Sequence, residues 1–302
     1  MTLIVIGGAT ASGKSALAVG LAHELDAEII NCDSMQLYKG MDIGTAKLTT
    51  AEREGVPHHL LDLVSVRDDV TVSWYQGLAR AKIDELTALG KDVIVVGGTG
   101  FYIKAILDDL NFPDTDPEVR AKLEQRAIDE GGAVLHAELA KVDAAAALAI
   151  PAENIRRVVR ALEVVEITGQ PFTASLPREG STRYPEALQF AIETDRPNLD
   201  RRIEQRVELM WERGLVAEVR DLITEGLMEG KTAQRAIGYA QILAMAQGDV
   251  TEEMAKEATK IATRQYVRRQ DTWFKRDERI TWLPVGPTSA HIKSIKGSII
   301  KA

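Results

Sequence analysis

Short apolar runs punctuate this chain, and most are too continuous to be one face of a helix. Residues 3–6 (LIVI) form an unbroken β-branched run, the pattern of a strand covered on both faces. Residues 27–32 (AEIINC) and 91–96 (KDVIVV) repeat it, 187–192 (ALQFAI) repeats it again, and 282–283 reads as a last short strand. Residues 16–22 and 72–89 have helical spacing, the latter with Trp74, Leu78, Ala81 and Leu86 as its apolar positions. Strands alternating with helices predict an α/β fold on a parallel sheet. Past Asn111 the pattern changes. Residues 111–117 (NFPDTDP) are a turn-rich linker, 118–149 read as Ala-rich helices, and a further helix starts after 151–154 and ends at Gly169 and Pro171. The expected organisation is a core from 1–112 and 186–302 with C-terminal helices, interrupted by an all-helical insertion at 113–185. Residues 201–214 and 215–226 read as helices, and the tail beyond Pro284 is expected to be mobile.

Composition narrows the function. The chain has 302 residues, is 45% hydrophobic and 27% charged, and carries a net charge of −8. That balance argues against a generally basic nucleic-acid binder, though not against a local basic patch. The single cysteine, Cys32, excludes an intramolecular disulfide and a cysteine-rich zinc module. With no signal peptide and no run near the ~18 apolar residues of a membrane span, a cytosolic protein is expected.

Chemistry enters at Gly8-Ala9-Thr10-Ala11-Ser12-Gly13-Lys14-Ser15, which fits the P-loop pattern G-x-x-x-x-G-K-[ST] between a predicted strand and a predicted helix. Such a turn aims backbone N–H groups and a helix N-terminus at a phosphate. Lys14 would reach the terminal phosphates and the Ser15 hydroxyl would ligate Mg²⁺, the expected cofactor. Asp33 ends the second strand, where open α/β sheets place their ligands; a turn or N-cap aspartate is the alternative. The Gly-rich stretch 37–47 is long for a loop in a compact domain, a sign of function. His58 and His59, being adjacent, point different ways and suit structural roles better than a shared metal. The strand at 91–96 runs into Gly97-Gly98-Thr99-Gly100, where an ATPase usually carries an acidic Mg²⁺ ligand. In the helix after 154, Arg156 and Arg160 share a face beside Arg157, while Val158, Ala161, Leu162 and Val165 can be buried. In an acidic protein that stripe reads as phosphate-binding as readily as a solvated face. Residues 260–279 interleave Arg264, Arg268, Arg269, Lys275, Arg276 and Arg279 with Tyr266, Trp273 and Phe274, a mixture suited to RNA. The aromatics are expected to be mostly core, with several arginines toward ligand.

Taken together these segments resemble the bacterial tRNA dimethylallyltransferase (tRNA isopentenyltransferase) family. The match rests on GATASGKS (8–15), DSMQLYKGMDIGTAK (33–47), PHHLLD (57–62), VGGTGFY (96–102), DPEVR (116–120), RRVVRALEV (156–164), QRAIGYAQ (234–241) and TRQYVRRQDTWF (263–274). The resemblance implies a P-loop kinase-like fold whose helical insertion grips an anticodon stem-loop. It implies transfer of a dimethylallyl group from dimethylallyl diphosphate to the exocyclic amine of the adenosine 3′ of the anticodon, with that base flipped out. It assigns Asp33 as general base, Thr10 to Ser15 as the diphosphate cradle, and Thr99 and Arg235 to the reacting centre. tRNA contacts fall to Ser34, Met35 and Gln36, with Asp33 and Thr99 beside them, to Arg120, and to Arg156, Arg157, Val158, Val159 and Arg160. The expected partners are tRNA and dimethylallyl diphosphate, with no membrane, and the protein is expected to be a monomer. Ala240 departs from the basic residue many relatives carry there. The rival readings are a P-loop small-molecule kinase or ATPase, a prenyltransferase acting on free adenine nucleotides, and a non-catalytic RNA-binding module.

Overall fold

The computed structural model describes residues 1–175 and 181–300. Its chain divides into two compact units, one of residues 1–107 with 184–302, the other of residues 108–183. In the first, β1 (Leu3–Gly7), β2 (Glu28–Asn31), β3 (His58–His59), β4 (Val93–Val96), β5 (Leu188–Ile192) and β6 (Ile280–Leu283) form one sheet in the order β3-β2-β4-β1-β5-β6. Every pairing is parallel; Ile4 of β1 faces Ile94 of β4 on one side and Leu188 of β5 on the other.

The strand residues explain why both faces are covered. On one face Ile4, Ile6, Ile29, Ile94 and Phe190 pack against Leu17, Ala18 and Leu21 of α1 (Lys14–Leu25). On the other, Val5, Ile30, Cys32, Val93 and Val95 meet α2 (Val72–Ala88) and α3 (Gly100–Leu107). The buried stripe of α2 is Tyr75, Ala79, Ile83 and Leu86 rather than the stripe through Trp74, Leu78 and Ala81, and Trp74 is 39% exposed. Tyr75 wins the inward position because its hydroxyl donates to the Asn31 carbonyl at 2.8 Å, which satisfies its one polar atom.

The chain leaves β1 for β2 across β4 and later returns to β5 on the other side of β1. That reversal is a topological switch point, where loops at the carboxyl ends of strands open a crevice. The loops there are 8–13 after β1, 32–36 after β2 and 97–99 after β4.

The second unit contains α4 (Pro117–Asp129), α5 (Gly132–Val142), α6 (Ala144–Ala149) and α7 (Ile155–Thr168), packed around Leu123, Leu135, Leu139, Val158 and Leu162. Local signals set its helix ends. Asp116 caps α4 through the Glu118 and Val119 N–H groups, Asn154 caps α7 through that of Arg157, and Gly169 closes α7 at φ 67°.

The first unit continues with α8 (Arg196–Glu212), α9 (Leu215–Thr224), α10 (Tyr239–Ala246), α11 (Glu252–Phe274) and α12 (Thr288–Ile299). The last corrects the expectation of a mobile tail. His291 and Ile295 are buried, Ile295 with Ile292 and Ile299 against the α1 layer, and His291 Nε2–H donates to the Pro284 carbonyl at 2.8 Å. Its apolar stripe is short and diluted by Ser, Lys and Gly, so it gains stability only from the groove it fills.

Candidate active site

After β1 the chain turns through Gly8 (φ 123°), Ala11 (φ 64°) and Gly13 (φ 98°) into α1. Gly13 is the N-cap and makes no side-chain cap, so the N–H groups of Lys14, Ser15 and Ala16 have no acceptor within the helix. The buried Ser12 hydroxyl also lacks a partner among the described residues. Orphan donors at a positive helix end fit an oxygen-rich anion. Lys14 Nζ turns back to the Ala9 carbonyl at 2.6 Å. Burial, and then the Arg206 charge, lower its ammonium to about 8, with Asp33 opposing. No cluster of three His, Cys, Asp or Glu side chains suited to a metal occurs among the described residues. The Ser15 hydroxyl, in the first turn of α1, is the side chain of this turn that would hold Mg²⁺ beside a bound phosphate.

After β2, the buried Asn31 amide donates to the carbonyls of Leu60 (3.0 Å) and Asp33 (3.1 Å), while its Oδ1 accepts the Asp33 N–H at 3.1 Å. Asp33 Oδ1 in turn accepts the Met35 N–H at 2.9 Å. The two readings of Asp33 are therefore compatible: one oxygen holds a turn while the side chain faces a cavity.

After β4, the backbone of Gly97 lies against that of Cys32, where a Cβ would overlap the Cys32 carbonyl. Gln270 of α11, buried, accepts the Thr10 N–H at 2.8 Å and donates to the Gly98 carbonyl at 2.9 Å, joining the two loops. Thr99 Oγ1 accepts the Ser34 N–H at 3.4 Å. Tyr266 lies within reach of Thr99 and Gln270; burial and then the Asp33 charge push its hydroxyl up to about 12, so it remains a donor at neutral pH.

The loops after β1 and β2 help wall a cavity of about 300 Å³. Thr10, Asp33, Ser34 and Met35 line it; Ile203, Val207 and Met210 of α8 give it an apolar side; Arg206, Arg235 and Arg269 bring positive charge. Thr99 is not among the lining residues and acts one layer back, through Ser34. Gln36 donates to the Thr45 carbonyl at 3.1 Å, an internal bond that fixes the 37–47 loop. Arg206, Thr45, Thr263 and Gln270 were not singled out as site residues by the sequence. The signal for the last two was present: along the buried face of α11, Thr259, Thr263 and Gln270 occupy positions that a purely structural helix would fill with apolar residues. Arg206 reads as one basic residue among acidic neighbours, until α8 turns it inward, where burial lowers its pKa against the pull of Asp33.

In the helical unit the expected stripe divides. Arg156 and Arg157 are exposed. Val158 and Val159 are 0% and 2% exposed and belong to the unit's core, so their side chains have no surface to offer an RNA. Arg120 and Arg160 bond the carboxylate of Glu163, itself 0% exposed, at 2.6 and 2.8 Å, and Arg160 also donates to the carbonyls of Pro113 and Asp114. Sequence spacing showed the arginines but not the buried acid they neutralise. His58 and His59 have separate partners, the Val56 carbonyl and Glu28, consistent with structural roles.

The model of the IPP transferase family matches residues 36–277. A tRNA dimethylallyltransferase of Thermobifida fusca is 57% identical, the alignment covering 94% of this chain and 90% of that protein; one of Streptomyces griseus is 55% identical with the same coverage. The chain belongs to the IPP transferase family. Among solved structures, the tRNA isopentenylpyrophosphate transferase of Bacillus halodurans superimposes with a TM-score of 0.72 at 36% identity over 99% of this chain and 96% of that one. A eukaryotic dimethylallyltransferase acting on tRNA gives 0.82 at 28% identity over 95% and 75%. The family assignment joins the parallel P-loop sheet to prenyl transfer and displaces the kinase reading. Ala240 is half-buried on α10 and is not among the cavity-lining residues. No helix among the described residues is long and apolar enough to cross a membrane.

Proposed function

We propose that this protein transfers a dimethylallyl group from dimethylallyl diphosphate to N6 of the adenosine 3′ of the anticodon in tRNA, releasing diphosphate. One observation carries the reading: Thr10 of the phosphate-binding turn and Asp33 at a neighbouring strand end line the same cavity, which also has an apolar side and several arginines.

The amine lone pair of adenine is delocalised into the ring, so attack needs a base and an electrophile ready to ionise. Asp33 takes the N6 proton as the new C–N bond forms at the allylic carbon and the C–O bond to diphosphate breaks. General-base assistance of this kind is worth roughly 10²–10⁴-fold. As the leaving oxygens accumulate charge, Arg206 and Arg235 of the cavity wall and Lys14, which feels the Arg206 and Asp33 charges, would offset it together with the N–H groups at the start of α1, each well-aimed donor worth ~3–4 kcal/mol. Ser15 would hold Mg²⁺, which when bound would supply further charge neutralisation. Ile203, Val207 and Met210 give the five-carbon group an apolar seat and keep water from the allylic cation. Extracting a base from an unpaired loop costs only a few kcal/mol, which favours the anticodon loop over a duplex. Arg156 and Arg157 suit the phosphates of the stem, and the cytoplasm, where tRNA is used, is the compartment this activity requires. A monomer suffices, since one chain supplies every group named.

The test is label transfer from dimethylallyl diphosphate to a tRNA and to the same tRNA with guanosine at the acceptor position. Label on the first alone supports the assignment; label on neither, or transfer of phosphate from ATP instead, would refute it.

A further inference from the structure

The exposed face of α11 carries a feature that the proposed chemistry does not use. Arg268, Arg269, Thr272 and Trp273 lie at three- and four-residue spacing along one side and, with Arg276 just past the helix end, border a groove of about 260 Å³. Arg269 lines this groove and the catalytic cavity alike, so the two adjoin. Most neighbouring arginines are neutralised: Arg264 by Glu204 and Glu257, Arg196 by Asp200, Arg279 by Asp277. Arg268, Arg269 and Arg276 form no ion pair among the described residues, and Arg269 has only the Tyr266 ring, at 5.8 Å. Of the acids nearest in sequence, Asp271 interacts with Lys275 and Arg196, and Asp277, next to Arg276, is held by Arg279.

Trp273 is held while part of its ring stays open. It is 39% exposed, its edge meets Phe101 at 6.1 Å between centroids and 74° between planes, and it lies on the bare backbone of Gly100, where any Cβ would overlap the indole. Gly100 directly follows Thr99. An immobilised indole beside three unpaired guanidinium groups, next to the cavity that receives the acceptor base, has the chemistry of a single-stranded nucleotide seat, where a base stacks and its phosphate is paired.

We propose that this groove holds the nucleotide adjoining the acceptor adenosine, its base stacked on Trp273 and its phosphate paired with Arg268 and Arg276. An extruded base leaves a neighbour that has lost its stacking partner, and the groove replaces that stack. The proposal rests on the RNA-modifying reading above and adds to it the site that receives the flanking nucleotide.

The experiment uses the full chain and an anticodon stem-loop RNA, intact or with an abasic ribose at the position 5′ or 3′ of the acceptor. Trp273→Ala should weaken binding of the intact RNA roughly 5- to 150-fold, the range for loss of one base–aromatic stack, and should cost nothing further on one of the two abasic RNAs. Trp273→Phe, which keeps an aromatic face, should retain most of the affinity and the same coupling, and it carries the test if the alanine variant fails to fold. Arg268→Glu with Arg276→Glu, both on the surface, should lower the slope of log affinity against log salt by roughly 1–1.5 for two lost phosphate contacts. An equal Trp273→Ala penalty on all three RNAs, an unchanged salt slope, or displacement of the RNA by a polyglutamate peptide as readily as by an RNA of equal charge would each overturn the proposal. Prenyl transfer to the intact RNA by the unaltered enzyme is measured alongside. Absence of transfer defeats the functional reading, whereas transfer without coupling defeats the groove alone.

Discussion

Removing the Glu218 carboxylate should loosen the active site from a distance. Glu218, on α9, accepts the N–H groups of Asp42 (3.2 Å), Ile43 (2.7 Å) and Gly44 (3.2 Å) and the Tyr239 hydroxyl (2.6 Å). One charged side chain thus gathers three successive backbone donors of the 37–47 loop, and the Tyr239 ring packs so closely on Gly44 that no Cβ fits there. The loop's far end reaches the site: Gly44 and Thr45 line the cavity, and the Thr45 carbonyl accepts from Gln36 and Arg206. Bonds to a charged acceptor are worth ~1.5–3 kcal/mol each. Because water can reach the donor of the exposed Asp42, we expect Glu218→Ala to cost ~3–5 kcal/mol in all rather than the full sum. At ~2 °C per kcal/mol, the low end of the range for large domains, melting should fall by about 6–10 °C. With its loop unmoored, kcat/KM for tRNA should fall roughly 10-fold, since displacements near 1 Å carry penalties of that order or more. Glu218→Gln keeps one acceptor oxygen but turns an NH₂ group toward the remaining donors, and should lose about half as much stability. Calorimetry and steady-state kinetics on the two variants check this. An alanine variant that melts within about 1 °C of the parent with unchanged kcat/KM would refute the anchoring argument.

The pH dependence of diphosphate binding should follow Lys14. Its ordinary pKa of 10.5 falls to about 8 in the folded protein, so charging it opposes the fold; the penalty is complete below pH 8 and is relieved between 8 and 10.5. An arriving anion reverses the shift, so binding should take up a proton and weaken as pH rises above 8, as calorimetry in buffers of different ionisation heat would show; binding unlinked to protons would contradict this. In the helical unit, Arg120→Ala or Arg160→Ala should destabilise by ~2–3 kcal/mol through the half-neutralised Glu163, whereas Arg156→Ala with Arg157→Ala should leave melting unchanged and flatten the salt dependence of tRNA binding; equal effects on melting from both pairs would undo that division. Chelation of Mg²⁺ should abolish turnover while the enzyme alone, without diphosphate, shows no tight Mg²⁺ site in titration calorimetry; a tight site in the free enzyme would contradict an ion held beside a bound phosphate.

What the sequence revealed follows from how local each signal is. β1, β2, β4 and β5 were legible because a strand buried on both faces needs a continuous apolar run, and the phosphate turn because its glycines and Lys14 are adjacent in the chain. The inward face of α2 was misread by one position because Tyr75 counts as polar until its hydroxyl finds Asn31. The helix at 288–299 is hard to read in the sequence because its few apolar residues are set among Ser, Lys and Gly and become buried only against the α1 layer, far away in sequence. The same distance hid Arg206, Gln270 and Glu163. Each acts through a partner on another element, and a buried Glu163 balancing Arg120 and Arg160 reads in sequence as one more surface charge.

The most direct test of the central claim is single-turnover prenyl transfer by Asp33→Asn. Asparagine keeps the side-chain oxygen that accepts the Met35 N–H, so the turn survives while the proton acceptor is lost. The account predicts transfer slowed by roughly 10²–10⁴-fold, with affinities for tRNA and for dimethylallyl diphosphate within about twofold of the parent. Transfer at near the parent rate would show that the base lies elsewhere, and the cavity shared by Asp33 and the phosphate turn would lose its chemical meaning.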